Sequence, residues 1–199
     1  MPAITVNRIS LSLLVALSIP VGLYAFLFQF QEIGDPSVHE RFAQLPTFAL
    51  FHVLGAGVAL LIGGFQFSST LRNRYPHIHR WVGRIYLTAV MLGGIGGVAT
   101  ATQAGGGLVA QFGFALLGLV WLYSAAQAYL AIRSKRIAEH RVWMMRNFAL
   151  TFAAVTLRLY LPLLGAAGFE FEQSYPVVAW IAWVPNLIFV EWFLLRRTP

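Results

Sequence analysis

Along this chain, apolar runs long enough to cross a bilayer alternate with short polar connections. A helix needs about 20 residues to span the hydrocarbon core. Runs of that kind fall at roughly 9–30, 47–67, 82–103, 108–132, 148–168 and 175–195. The pattern predicts an all-α, polytopic transmembrane bundle of six spans, with residues 1–199 forming one integral membrane domain. The run from Ile9 to Phe30 follows Arg8 and offers no small-residue cleavage site, so it reads as a first span rather than a signal peptide. The longest and most polar connection, Gln31 to Pro46 (QEIGDPSVHERFAQLP), predicts a short interfacial helix. Tyr175, Trp180 and Trp192 fall near the ends of the last run, where aromatic belts form.

Two patterns lie within the apolar runs. Span three carries Ala89, Gly93, Gly97 and Ala101, a small residue at every fourth position, which puts a smooth groove along one helix face. Such a face admits a close neighbouring helix, a partner helix or homo-oligomer, or a flat cofactor or lipid chain. The second pattern is a self-match at an offset of 61. It pairs Gln66 with Gln127, Arg72 with Arg133, Arg74 with Lys135, and His79-Arg80 with His140-Arg141. Matches between polar residues carry weight here because polar residues are scarce. The offset predicts a duplicated helical hairpin core, spans 2–3 and 4–5, related by an axis along the membrane normal.

Composition strengthens the membrane reading, since 58% of residues are hydrophobic and only 11% are charged. The net charge of +7 does not indicate nucleic acid, because the basic residues sit in the connections between apolar runs. Arg8, Arg72, Arg74, Arg80, Arg84, Arg133, Lys135, Arg136, Arg141, Arg146, Arg196 and Arg197 fall on one side, and only Arg41 and Arg158 depart from it. Glu32, Asp35, Glu40, Glu170 and Glu172 fall on the other. The positive-inside rule then expects a multi-pass protein of the cytoplasmic membrane with both termini cytoplasmic. With no cysteine, disulfides and thiolate sites are excluded, and any metal or haem would take His, Met or carboxylate ligands.

The candidate chemistry is carried by histidines and one arginine. His77, His79 and His140 gather on the basic side near the starts of spans three and five, and His52 lies about one turn inside the opposite end of span two. Two imidazoles on facing helices, with Arg80 and Arg141 to meet propionates, are the residue types that hold a b-type haem. The expected cofactor-binding set is therefore His79, His140, His52, Arg80 and Arg141. Arg158 sits alone in the apolar run HRVWMMRNFALTFAAVTLRLYLP (His140 to Pro162). A charge at mid-membrane costs roughly 2.5–3.5 kcal/mol on insertion scales and defaults to a functional hypothesis. Counted from the predicted span ends, Asn186 falls at its depth and Glu191 one to two turns nearer the basic side. This predicts an intramembrane polar network of Arg158, Asn186 and Glu191, with Pro162 and Pro185 loosening the helices nearby. No phosphate loop, HExxH zinc motif or serine-nucleophile elbow is present.

At RYPHIHRWVGRIY (Arg74 to Tyr86) and His140 to Pro162 the chain resembles the domain-of-unknown-function family numbered 2306, bacterial predicted integral membrane proteins. The matching positions are His79, Arg80, Gly83, Arg84, His140, Met145, Arg146, Asn147, Arg158 and Pro162. The resemblance implies a polytopic membrane fold and assigns no activity. There is also a distant likeness to the two-haem transmembrane cytochromes b, whose HRxxG-type pattern His79-Arg80-Trp81-Val82-Gly83 fits. The chain departs from them in lacking four histidines buried within helices. Three functional expectations follow. The first is a haem- or quinone-interacting redox protein with its site between His79, His140 and Arg158, on the cytoplasmic side. The others are a carrier for a small anion and a non-catalytic membrane subunit or scaffold.

Overall fold

The computed structural model describes residues 8–31 and 33–195. Glu32, Arg196 and Arg197, which entered the charge count, lie outside the described residues. Ten α-helices and no strand occur among the described residues, and six helical stretches are long and apolar enough to cross a membrane.

The first span is α1 (Arg8–Gln31). The expected interfacial helix is α2 (Pro36–Ala43). It starts at Asp35, whose carboxylate accepts from the Ser37 N–H at 2.8 Å, and it has proline at its first turn. The Ser37 hydrogen bonds hold the Asp35 carboxyl below its usual range, and Arg41 contributes in the same direction. A depressed carboxylate supports α2 above the unfolded pKa, near 3.9, and the support is lost as pH falls through the lower folded value. We expect Asp35→Ala to lower the exchange protection of the α2 amides about fivefold at neutral pH, the size of a lost cap. The wild type should lose that protection only in acid.

Spans two and three form a hairpin of α3 (Pro46–Gly63) and α5 (Pro76–Ala101). A 3-10 turn (Gly64–Phe67) and α4 (Ser69–Arg74) join them, with the Ser68 hydroxyl capping α4 by accepting from the Leu71 N–H. Span four is α6 (Gly107–Arg133), entered through Gly106 and Gly107 at φ +81° and +68°, a backbone region that favours glycine. Span five is α7 (Ile137–Thr151) and α8 (Ala153–Ala166). Span six is α9 (Phe171–Ile181), α10 (Val184–Phe189) and a π-helical turn (Val190–Leu195). Its break precedes Pro185, which cannot donate to a preceding carbonyl. The Ala182 carbonyl released there accepts from Thr156 Oγ1 and Asn186 Nδ2.

Helix starts differ from the hydropathy boundaries in one systematic way. α5 begins at Pro76 rather than residue 82, and α7 at Ile137 rather than 148. The stretches His77–Trp81 and His140–Arg146 read as connection because they are polar and charged, yet they form the opening turns of the helices of spans three and five. The repeat offset recurs in the helix starts: Pro46 pairs with Gly107 and Pro76 with Ile137.

The groove on α5 is filled from within the chain. A methyl group built on Gly55 of α3 would stand 2.6 Å from both the Ala89 carbonyl oxygen and the Gly93 nitrogen, so the two backbones touch. The face offered to a partner helix or second copy is thus taken by α3, because only glycine on both sides permits that approach. The buried centre comprises Tyr86, Val90, Trp121, Ala125, Phe148 and Trp183.

Candidate functional site: a cavity at the α2 end

At the end of the bundle that carries α2, the helices part around a cavity of about 340 Å³. Its walls are mainly apolar, with Phe28, Phe114, Leu117, Leu157 and Leu161 among them. Two arginines line it, Arg41 from α2 and Arg158 from α8, together with His52 from α3 and Tyr175 from α9. Arg158 Nη1 donates to the Ala154 carbonyl at 3.0 Å, and its guanidinium carbon lies 4.8 Å from the centre of the Tyr24 ring. Among the described residues the ion pairs are Arg136–Glu139 and Arg146–Glu191, so neither cavity arginine is neutralised by one. Asp35 is the one carboxylate on the lining.

His52 is held in one tautomer. Its Nδ1 lies 2.9 Å from the Gly93 carbonyl, which can only accept, so Nδ1 carries the proton and Nε2 is left free. Gly97 leaves room for this ring, since a methyl group there would stand 2.7 Å from Nδ1. The glycines of α5 therefore make space for α3 and its histidine. His39 stacks on Phe28 with ring centres 4.0 Å apart, which ties α2 to α1.

The floor of the cavity is polar and closed. Thr151 and Trp121 line it, and Trp121 Nε1 donates to Thr151 Oγ1 at 2.9 Å. Beneath them the Tyr86 hydroxyl donates to Asn147 Oδ1 at 2.6 Å and lies 2.8 Å from Thr151 Oγ1. Asn147 Nδ2 donates to the Trp121 carbonyl and to Ser124 Oγ. Tyr86 and Asn147 are counterparts at the 61-residue offset, and they meet at the bundle centre. Residues beside a two-fold axis meet their own counterparts, so the contact fits a duplicated hairpin.

The expected site residues are distributed over two ends of the bundle. His52 and Arg158 share the cavity. His79, Arg80, His140 and Arg141 lie at the opposite, basic end, in the first turns of α5 and α7. Arg158 stands about 30 Å along span five from Ile137 at 1.5 Å per residue, because α7 starts eleven residues before the hydropathy boundary. One site between His79, His140 and Arg158 is thereby divided in two. The network of Arg158, Asn186 and Glu191 does not form. Glu191 accepts from Arg146 at 2.5 and 3.1 Å, and Asn186 Nδ2 donates to the Ala149 carbonyl, Thr156 Oγ1 and the Ala182 carbonyl. Arg41, Tyr24, Tyr175 and Thr151 were not singled out as site residues from the sequence. Of these Arg41 had a signal, as a basic residue on the acidic side.

Six apolar spans around a closed polar floor and an arginine-lined cavity define a polytopic α-helical membrane protein. The model of the family described as "Predicted membrane protein (DUF2306)" matches residues 49–194, and the chain belongs to that family. The matched segment contains His52, Trp121, Thr151, Arg158 and Tyr175, while α1 and α2 precede it. No curated protein and no solved structure matches the chain.

Proposed function

We propose that this protein is a carrier-type membrane protein that binds a small amphipathic anion in the cavity at its α2 end. In this reading the basic end faces the cytoplasm of a bacterial cell, with both termini on that side, and the cavity opens outward. The supporting observation is the pair Arg41 and Arg158, two guanidinium groups on a mainly apolar cavity that carries one carboxylate. A carboxylate between them would take charge-assisted hydrogen bonds from both. Phe28, Phe114 and Leu157 would cover its apolar body, in a volume at the lower end of the range for ligand pockets. The free Nε2 of His52 would accept from a hydroxyl on the same ligand. Two hairpins related by an axis along the membrane normal supply the kind of halves that rock in known carriers.

Calorimetric titration of the detergent-solubilised protein with benzoate, hexanoate and 2-naphthoate tests this. At least one should bind to the wild type and lose about tenfold or more in affinity in Arg158→Gln, the size of one lost charge-assisted bond. His79→Ala, at the other end, should leave that affinity unchanged. Absence of binding by all three, or equal binding to wild type and Arg158→Gln, would overturn the reading. A Soret band in the purified protein, lost in His79→Ala and His140→Ala, would instead support a haem b held by those two imidazoles.

A further inference from the structure

At the basic end, α4 and the first turns of α5 and α7 bring together basic side chains, and among the described residues neither Arg72 nor Arg141 is in an ion pair. Arg72 of α4 and Arg141 of α7 lie close enough for their charges to interact, and burial and then Arg141 hold the Arg72 pKa below the ordinary arginine value. His79 lies in the fields of both Arg72 and His140. The carboxylates on this half of the bundle are engaged elsewhere, Glu139 with Arg136 and Glu191 with Arg146. Asp35, Glu40, Glu170 and Glu172 lie at the other end.

A second observation comes from the floor of this cluster. Gln66 is 7% exposed, and its Nε2 has no hydrogen-bond partner; neither has the buried Nδ1 of His79. The Gln66 carboxamide lies against α5 at Gly83, where an added methyl group would stand 3.1 Å from Oε1. Gly83 is one helical turn from His79, so both unpartnered atoms belong to the same region. A buried donor left without an acceptor costs about 1–3 kcal/mol. An acceptor-rich ligand would remove that cost, and an ammonium or guanidinium group would add to it. His140 Nδ1 donates to the Ala128 carbonyl at 2.9 Å, so Nε2 can donate to an oxyanion once the ring takes up a second proton.

Depth identifies the class of anion. The cluster sits at helix starts among Trp81, Tyr129 and Trp143, and tryptophan and tyrosine mark the headgroup level of a bilayer. Arg84 lies 4.9 Å from the Trp81 ring and Arg146 4.5 Å from that of Trp143, which places further basic groups at this level. Basic pockets between helices at this level hold phosphate groups.

We propose that Arg72, His79, His140 and Arg141, above the Gln66 amide, form a second anion site that takes a phosphate oxyanion, borne by a phospholipid headgroup or free in solution. The site is separate from the arginine-lined cavity and does not depend on the reading given for it.

Thermal unfolding of the full chain in phosphatidylcholine nanodiscs tests the site, with either phosphatidylglycerol incorporated or inorganic phosphate added. The wild type should be stabilised by one of the two. The ligand concentration giving half that effect should rise about tenfold in Arg72→Gln/Arg141→Gln. Gln66→Leu should weaken the response as well, which a purely surface attraction would not predict. Arg74→Gln/Arg84→Gln, which removes the same charge from exposed positions nearby, should respond as the wild type does, and so should Arg158→Gln. A response to phosphatidylglycerol alone assigns a lipid headgroup, and a response to inorganic phosphate assigns a free oxyanion. No response to either, or an equal loss in the Arg74/Arg84 control, would overturn the proposal.

Discussion

Asn147→Ala is expected to lower the stability of the protein by about 2–4 kcal/mol, read from its thermal unfolding in detergent. Asn147 has 0% exposure, and both its amide oxygen and its amide nitrogen are hydrogen-bonded. It accepts from the Tyr86 hydroxyl and donates to the Trp121 carbonyl and to Ser124 Oγ. Removing it leaves the Tyr86 hydroxyl with Thr151 Oγ1 alone and the Ser124 hydroxyl with the Trp121 carbonyl alone, and it takes a donor from that carbonyl. A buried polar group left short of a partner costs about 1–3 kcal/mol. Hydrogen bonds inside membrane proteins average nearer 0.6 kcal/mol in double-mutant cycles, because the unfolded chain in lipid also finds partners. The expected figure exceeds that average because Asn147 serves several partners at once. Tyr86→Phe removes one donor and leaves Asn147 its two donated bonds, so it should cost less than half as much. If Asn147→Ala unfolds with the wild type, the floor of the cavity is not held by this network.

The bundle was legible because a bilayer imposes a length on apolar runs, and that length is visible in the order of residues. Helix starts were not legible to the same degree. Hydropathy counts His77–Trp81 and His140–Arg146 as connection, whereas helical hydrogen bonding continues through the headgroup layer whatever the side chains are. That shift moved Arg158 from an apparent mid-membrane position on the basic half to the arginine-lined cavity. It also moved Arg158 away from Asn186 and Glu191. Arg41 was the better pointer, since a lone arginine on an acidic side needs a reason to be there. The meeting of Tyr86 and Asn147 was implicit in the 61-residue offset, but the self-match was carried by identical or like-charged residues and these two are neither. The unpartnered atoms of Gln66 and His79 could not have been read from sequence, because they depend on how two helices face each other.

Gly55→Leu is expected to have the largest packing effect, a loss of 3 kcal/mol or more, at the upper end of about 1–3 kcal/mol for an overpacked core. The atoms an added carbon would meet are the Ala89 carbonyl oxygen, the Gly93 nitrogen and the Gly93 Cα, at 2.6, 2.6 and 2.8 Å. All are backbone, so no side-chain rotation relieves the contact, and α3 must move away from α5. The same movement would break the His52 bond to the Gly93 carbonyl and open a wall of the cavity. Unfolding temperature and affinity for the anionic probe should therefore fall together. Gly165→Ala is the control, since nothing lies within 4 Å of a carbon added there, and it should be neutral or slightly stabilising in its helix. A Gly55→Leu protein with wild-type stability and a new capacity to bind a flat chromophore would show that the groove on α5 is kept clear for a ligand. Paired loss of stability and binding would show that glycine is there so that α3 can hold His52 against the cavity.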